Sequence, residues 1–188
     1  MPDPAAQGGM ESLNLAELRL ERAATTLHDE VERLFLEARD DVYRYLLTLG
    51  LHPPLAQDAT QDVFLSLYVA LRKGESIRNT RAWVFRVAHN HGLNLREKQD
   101  YLRPFEAGIE SCLPAPEKSP EQALIERERL VRLHNAVEGL SAQQKSCLFL
   151  RAEGLRYQEI AQVIGVGTST VGEFLRRAIT RLRRASHA

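Results

Sequence analysis

The stretch that most constrains this chain runs from residue 154 to residue 184, where two helical patterns flank a short break. The apolar side chains of the first pattern recur at helical spacing and are Tyr157, Ile160, Ala161 and Ile164. The break is Gly165-Val166-Gly167, and the apolar stripe of the second pattern consists of Val171, Leu175, Ile179 and Leu182. This arrangement is typical of two short helices that cross around a tight turn, a helix-turn-helix.

The second of these helices has the features of a DNA-reading helix. The hydroxyl groups of Thr168, Ser169 and Thr170 can cap its first turn, because each can accept from an unpaired backbone N–H. Its remaining surface is basic, through Arg176, Arg177, Arg181, Arg183 and Arg184. Such a helix can enter a major groove, and the alternative is an ordinary helical hairpin with a solvated basic end.

The charges of the chain are unevenly distributed, although the formal net charge is zero. Residues 1–50 hold five basic and ten acidic groups, whereas residues 151–188 hold seven basic and three acidic groups. This asymmetry is expected when one end of a chain meets phosphate and the other does not.

The composition argues against several classes of protein. Cys112 and Cys147 are too far apart to form a CxxC pair, so the sequence predicts reduced thiols, no metal and no cofactor. No secretory segment and no apolar run of roughly 20 residues is present, which predicts a cytoplasmic protein. No stretch alternates as a strand would, and the sequence therefore predicts an all-α fold of two small helical domains.

The first half of the chain predicts a helical domain over residues 29–102, preceded by a partly disordered extension, residues 1–28. Within the extension, residues 1–9 are expected to be disordered, and residues 11–28 form either an extra amphipathic helix or a frayed lead-in. Residues 30–49 and 55–72 are the next predicted helices, and Gly50 is expected to end the first of them. The second has a polar face formed by Gln57, Asp58, Gln61 and Asp62 and an apolar face formed by Ala59, Val63, Phe64, Leu67, Tyr68 and Leu71.

A third helix is predicted from Thr80, whose hydroxyl can cap it. Its inward side chains are Val84, Val87 and Ala88, and its outward side chains are Arg81, Arg86, His89, Asn90, Asn94, Arg96 and Lys98. Beside Trp83 and Phe85, this outward row suits a single strand of nucleic acid, because basic groups follow phosphates while aromatic faces stack on bases. The alternative is a solvated amphipathic helix with Trp83 as a core anchor.

The segment His89-Asn90-His91 invites interpretation as a metal site. Two residues apart on a helix, however, side chains point roughly 200° apart. The two imidazoles therefore cannot converge on one ion, and the sequence predicts no metal here.

Residues 103–119 are rich in proline and predict a flexible linker, since proline removes donors and fixes the chain. The second domain is predicted over residues 120–188. Ser119 is expected to cap its first helix, with Pro120 at the first helical position, and Ser141 to cap the next.

Three blocks in this order resemble the extracytoplasmic-function class of bacterial sigma factors, the RNA polymerase subunits with only the second and fourth sigma domains. The segment AQDATQDVFLSLY resembles the polymerase-binding helix, and RAWVFRVAHNHGLN resembles the helix that reads the −10 element. The segment LSAQQKSCLFLRAEGLRYQEIAQVIGVGTSTVGEFLRRAITRLR resembles the whole fourth domain. Together the three blocks cover most of residues 30–184.

The resemblance implies a role for each of three sets of residues. The polymerase-binding set is Asp58, Gln61, Asp62 and Phe64. The −10-reading set, with the basic neighbours on the same helix, is Trp83, Arg86, Asn90, Asn94, Arg96 and Lys98. The −35-reading set is Arg151, Thr168, Ser169, Thr170, Glu173, Arg176, Arg177 and Arg181. The implied partners are core RNA polymerase, promoter DNA and an anti-sigma factor, with no small-molecule substrate.

The sequence departs from the family pattern in the DNA-reading helix of its second half. Gly167 stands where many relatives have a capping hydroxyl, and Gly172-Glu173 stands where a basic residue is common. A glycine inside a helix costs up to about 1 kcal/mol relative to alanine. Glu173 repels phosphate but can accept from a cytosine amino group.

Three other functions are alternatives to a promoter-specificity subunit. A stand-alone helix-turn-helix regulator would leave the first domain without a task and would not bind core polymerase. An enzyme would need paired carboxylates, an activated nucleophile or metal-ligand spacing, none of which the sequence shows. If the chain were purely an interaction module, reversing the charge of its terminal arginines would leave its function intact.

Overall fold

The computed structural model describes the backbone of residues 7–102 and 120–187, and the side chains of residues 27–99 and 127–186. Its helices in these ranges are α1 (Gln7–Thr48), α2 (Pro53–Arg72), α3 (Thr80–Leu102), α4 (Pro120–Glu138), α5 (Ala142–Ala152), α6 (Tyr157–Ile164) and α7 (Thr168–His187). No strand occurs in the described ranges, and the all-α prediction is confirmed there. The predicted linker over residues 103–119 lies outside the described residues, as do the predicted cap Ser119, Cys112 and residues 1–6.

The helix α1 is longer than the sequence predicts. It starts at Gln7 and continues without a break through residue 28, so residues 7–28 of the predicted extension and the predicted helix over residues 30–49 form one helix. The expected disorder of residues 7–9 is therefore wrong. The prediction that Gly50 ends this helix is confirmed, because its φ of 95° lies in the left-handed region that glycine adopts readily.

The starts of α2 and α3 differ from the predicted ones. Helix α2 begins at Pro53 rather than Leu55, because proline is well suited to a first turn where its missing N–H would be unpaired anyway. Helix α3 is capped by Asn79, whose Oδ1 accepts from the Ala82 N–H at 3.1 Å. The prediction that Thr80 caps α3 is therefore wrong.

Helices α1, α2 and α3 enclose the core of the first half. Its largest buried side chains are Val42, Tyr45, Leu46, Val63, Leu67 and Phe85. Helix α3 approaches α1 closely at Gly92, where an added Cβ would lie 2.8 Å from side-chain atoms of both Leu46 and Leu49. This close crossing fixes which face of α3 turns toward solvent.

The second half is organised by its caps and by one left-handed glycine. The predicted cap Ser141 is confirmed, and it forms a capping box with Gln144. Gly165 ends α6 with a φ of 71°, as the glycine break predicts. The carbonyl of Gly167 accepts from the Val171 N–H at 3.1 Å, which places residues 168–170 in the first turn of α7. Those three hydroxyl residues therefore follow the N-cap position instead of occupying it.

The apolar faces of α6 and α7 are rotated from the predicted ones. Tyr157 and Ile179 are 42% and 45% exposed, although their spacing predicts burial. Val163, next to the half-buried Ile164, and Ala178, next to Ile179, are buried instead. An apolar residue one position away satisfies helical periodicity almost equally well, so spacing alone does not settle which of the two faces the core.

The two halves pack against each other and share a continuous core. Helix α3 lies against α6, and α1 lies against α5. None of the helices in the described ranges carries an apolar run long enough to cross a bilayer.

Candidate nucleic-acid interface

One face of α3 presents a row of polar and basic side chains that we call the α3 strip: Arg86, Asn90, Asn94 and Lys98. All four are exposed and are spaced four residues apart, so they follow one another along one side of the helix. An asparagine amide both donates and accepts hydrogen bonds, and can therefore match the edge of a base. The strip combines two such amides with two cations that suit phosphates.

The aromatic residues near the strip are less available than the sequence suggests. Phe85 is fully buried, with its ring edge-on to Tyr45 at 5.5 Å, so the expectation that it stacks on bases is wrong. Trp83 is half-buried and packs against the core. It is the aromatic residue of this pair that retains some exposed surface beside the α3 strip.

Arg96 is not brought together with the α3 strip. Its Nη1 donates to the Leu49 carbonyl at 3.1 Å, and its guanidinium lies over Gly50. A cation at this point stabilises the carbonyl end of α1. The structure thus gives Arg96 a role in holding α3 to α1.

His89 lies in the core, although the sequence predicts it on the outward face. It is 8% exposed, and its Nδ1 lies 2.8 Å from the hydroxyl of Tyr45. Burial lowers the pKa of His89, because desolvation disfavours the imidazolium. His91 instead faces Asp62, with Nε2 3.3 Å from Oδ2, so the two imidazoles have separate partners.

On α7, Glu173 holds two arginines on the exposed face. Its carboxylate accepts from Arg176 at 2.8 and 3.0 Å and from Nε of Arg177 at 2.7 Å. Hydrogen bonds from Arg176 and then from Arg177 lower the pKa of Glu173. The carboxylate therefore offsets part of the positive charge and fixes the direction of both guanidinium groups.

The first turn of α7 exposes small polar side chains beside these arginines. Thr168 and Ser169 are exposed and Thr170 is half-buried. Gly172 follows, and an added Cβ there would meet Tyr157 Cε2 at an ordinary contact distance of 3.8 Å. Gly172 therefore faces Tyr157 of α6 at ordinary contact distance.

The other two predicted members of the −35 set, Arg151 and Arg181, lie at the edges of this exposed face of α7. Arg151 donates to the Leu155 carbonyl at 3.0 Å, and its guanidinium lies 5.6 Å from the centre of the Tyr157 ring. It is therefore held next to the start of α6. The guanidinium of Arg181 occupies the space that a Cβ at Gly139 would need, and so contacts the end of α4 instead of joining Arg176 and Arg177.

The polar face of α2 is exposed as the sequence predicts, through Asp58, Gln61 and Asp62. Phe64 is different: it is 4% exposed and packs edge-on against Phe35 with ring centres 5.1 Å apart. It supports the helix from the core and is not presented to a partner. Leu65, which was not among the predicted residues, is 62% exposed and follows Gln61 by one helical turn.

A groove of about 370 Å³ lies beside this face, between α1 and α2. Its lining residues are Phe35, Arg39, Asp40, Tyr43, Gln57, Thr60 and Gln61. Spacing within α2 alone could not reveal the contribution of α1. The exposed face of α2 thus continues onto α1.

Reactive groups are sparse in the part of the chain whose side chains are described. No group of three or more His, Cys, Asp or Glu residues there is arranged to hold a metal ion. Burial raises the pKa of Cys147 to about 11, which keeps its thiol protonated at neutral pH.

Comparison with protein families matches two segments of the chain. Residues 34–101 match the model of Sigma-70 region 2, and residues 130–182 match that of Sigma-70, region 4. The first segment includes the exposed face of α2 and the α3 strip, and the second includes α5, α6 and most of α7.

Individual proteins give the same result. The ECF RNA polymerase sigma factor BldN of Streptomyces coelicolor is 30% identical over 96% of this chain and 68% of its own. The RNA polymerase sigma factor YlaC of Bacillus subtilis is 27% identical over 83% of this chain and 91% of its own. Among solved structures, the sigma factor RpoE of Bartonella quintana, in complex with the anti-sigma factor NepR, has a TM-score of 0.62. It is 23% identical, over 83% of this chain and 96% of that one, and so supports the fold.

Proposed function

We propose that this chain reads its promoter with two separate helical surfaces. The chain belongs to the extracytoplasmic-function class of RNA polymerase sigma factors and so is a promoter-specificity subunit. One observation carries the proposal: the exposed polar residues form distinct faces on α2, α3 and α7, in the two segments that match the family models. We assign residues 29–102 and 120–188 as the two promoter-reading domains.

The α3 strip is the proposed surface for the −10 element. Extruding a base from the stack costs a few kcal/mol, which hydrogen bonds from a polar pocket can offset. Asn90 and Asn94 supply the amides for this task, and Arg86 and Lys98 supply charge for the backbone of the opened strand. The half-buried Trp83 lies three residues before Arg86 and keeps part of its surface exposed.

The exposed face of α7 is the proposed surface for the −35 element. Thr168 and Ser169 lie at the helix start that enters the major groove in helix-turn-helix proteins. Arg176 and Arg177, held by Glu173, present their guanidinium groups about two turns further along the helix. A guanidinium contacts either a phosphate or the acceptor edge of guanine.

The polar face of α2 is the proposed docking site for core RNA polymerase. Asp58, Gln61 and Asp62 provide charge and hydrogen-bonding groups, and Leu65 adds an exposed apolar side chain. We place the protein in the cytoplasm as a regulatory subunit without a catalytic step of its own. An anti-sigma factor is a further proposed partner, because a structural neighbour is a sigma factor in complex with one.

Run-off transcription with purified core polymerase on a library of promoter fragments tests this function. We expect transcripts from a subset of fragments that share two short elements, and none from core polymerase alone. A stand-alone regulator would instead protect DNA without polymerase and would not co-purify with it. Failure of the chain to bind core polymerase would refute the proposed function.

A further inference from the structure

The first part of α1 extends beyond the helix that packs beside it. Helix α1 has 42 residues and α2 has 20, so at 1.5 Å per residue they are about 63 and 30 Å long. A short turn joins the two as an antiparallel pair, with the ring of Phe35 against that of Phe64. Helix α2 ends at Arg72, about two turns after Phe64, and so reaches α1 no further than about residue 27.

The other helices that pack on α1 meet it further along the chain. Helix α3 approaches it at Leu46 and Leu49, and α5 reaches it at Tyr45, whose ring centre is 5.3 Å from that of Phe149. Among the described side chains of α1, Val31 is the first that packs against the core. The described core therefore ends near residue 31, whereas the helix continues back to residue 7.

An apolar repeat runs through both parts of α1. Its positions recur at intervals of three, four or seven residues and are Leu13, Leu20, Ala24, Leu27, Val31, Leu34 and Ala38. The last three belong to the core of the first half, so the earlier positions fall on the same side of the helix as packed residues. Such spacing over three heptads is typical of a helix that pairs with another helix.

The order of residues in this repeat suits an antiparallel copy of itself. When Glu17 of one copy lies opposite Leu20 of the other, Leu13 lies opposite Ala24, so that a large residue meets a small one. In a parallel pair each position would instead face its own equivalent. Two Glu17 carboxylates would then share one layer of the pair and repel each other.

We propose that residues 10–31 of α1 pair with the same residues of a second copy of the chain, as two antiparallel helices. The packed part of α1 already holds the end of this segment in a helix, which removes the costly nucleation step. Because Glu17 interrupts the apolar repeat, the dimer is weak and reversible. The pairing needs neither polymerase nor DNA, so its test is independent of the proposed function.

Sedimentation equilibrium of the full chain tests the pairing. We expect the wild-type chain to exchange between monomer and dimer. Glu17→Leu should strengthen association by about tenfold or more, because it completes the apolar repeat in both copies. Leu20→Glu should weaken it by a similar factor. Leu18→Glu is the matched control, because position 18 lies about 160° around the helix from position 20 and its substitution should change nothing.

Other occupants of the repeat predict a different result. If a segment of the same chain or another protein covered it, the free wild-type chain would stay monomeric. A wild-type chain that is monomeric up to about 1 mM, or a Glu17→Leu chain that associates no more tightly than the wild type, would overturn the proposal.

Disulfide cross-linking tests the antiparallel order. Leu13→Cys and Ala24→Cys are made as separate variants, each with Cys112→Ser, and Cys147 is retained because it is buried. On oxidation, a mixture of the two variants should form linked dimers and neither variant alone should, because a disulfide needs Cα atoms within about 7 Å. Cross-linking of one variant alone, or no cross-link in the mixture, would overturn the antiparallel pairing.

Discussion

The hydroxyl of Tyr45 lies 2.8 Å from Nδ1 of His89, and both side chains are buried where α1 meets α3. The folded state therefore favours the neutral imidazole, since burial lowers the pKa of His89. The unfolded chain takes up a proton near the ordinary pKa of histidine, about 6.5, before the folded chain does. Stability is thus retained above that pH and decreases as the pH falls from there toward the folded-state pKa.

We expect His89→Gln to remove this component of acid sensitivity. Glutamine retains a group that can meet the Tyr45 hydroxyl but does not titrate, and the component amounts to at most about 1.4 kcal/mol per pH unit. Denaturant unfolding between pH 7 and pH 5 measures it. The control is His134→Gln, an exposed position on α4. An unchanged pH slope in the His89 variant would contradict the assignment.

Asn90→Ala tests the α3 strip. Loss of one amide that contacts a base costs about 1–3 kcal/mol, so we expect run-off transcription to fall by about tenfold or more while polymerase binding is retained. Promoter opening, which is measured through the chemical reactivity of unpaired thymines, should fall in parallel. Asn135→Ala removes an equally exposed amide from α4 and should have no effect. Equal loss of transcription and polymerase binding would argue against a base-reading role.

Asp62→Arg tests the polar face of α2. Reversing the charge at the proposed docking surface should lower the affinity for core polymerase by about tenfold, measured by competition with the wild-type chain. Asp62 also lies 3.3 Å from His91, so His91→Gln is made in parallel to remove that contact without reversing charge. Glu75→Arg, at an exposed position between α2 and α3, controls for net charge. Equal competition by the Asp62 variant and the wild type would place docking elsewhere.

Glu173→Gln tests the carboxylate that bonds to two arginines on α7. Removing its charge should increase the affinity of the holoenzyme for DNA of unrelated sequence, because Arg176 and Arg177 are no longer partly neutralised. The dependence of log K on log salt should become steeper by about one. Glu138→Gln, which removes the partner of Lys145, should leave the slope unchanged. A shallower slope would mean that Glu173 does not compete with phosphate.

Two glycines with opposite surroundings give a paired stability test. Gly92→Ala places a Cβ 2.8 Å from buried atoms of Leu46 and Leu49, and overpacking of this kind costs about 1–3 kcal/mol. Gly172→Ala adds a methyl group at ordinary contact distance from Tyr157 inside a helix, and should stabilise the chain by up to about 1 kcal/mol. Urea unfolding should shift the two midpoints in opposite directions, and a shared direction would contradict the close α1–α3 crossing.

Local signals in the sequence predicted most of the helices and several of their ends. Gly50 and Gly165 terminate helices because glycine adopts a positive φ without strain, and Ser141 caps α5 through a box that its neighbour Gln144 completes. Asn79 caps α3, although Thr80 was the predicted cap, and both residue types are good caps. Such a choice between neighbours depends on the entry angle of the chain.

Features that depend on tertiary contacts were not predictable. His89 was expected on the outward face, yet its burial depends on Tyr45, which lies 44 positions earlier. The pairing of Arg81 with Glu153 spans 72 positions and joins two predicted domains, so no periodicity within either helix signals it. The ion pairs of Glu173 with Arg176 and Arg177, in contrast, follow from spacings of three and four residues and could have been predicted from the sequence.

Helix α6 is the shortest helix of the described chain, and it is covered by α3 on one side and by α7 on another. Random replacement along its eight residues should accordingly be accepted most freely at Gln158 and Gln162, which face solvent. At the other positions, a substituted side chain has to pack against both α3 and α7. Sequence drift in this protein should therefore be slowest in one of its smallest parts.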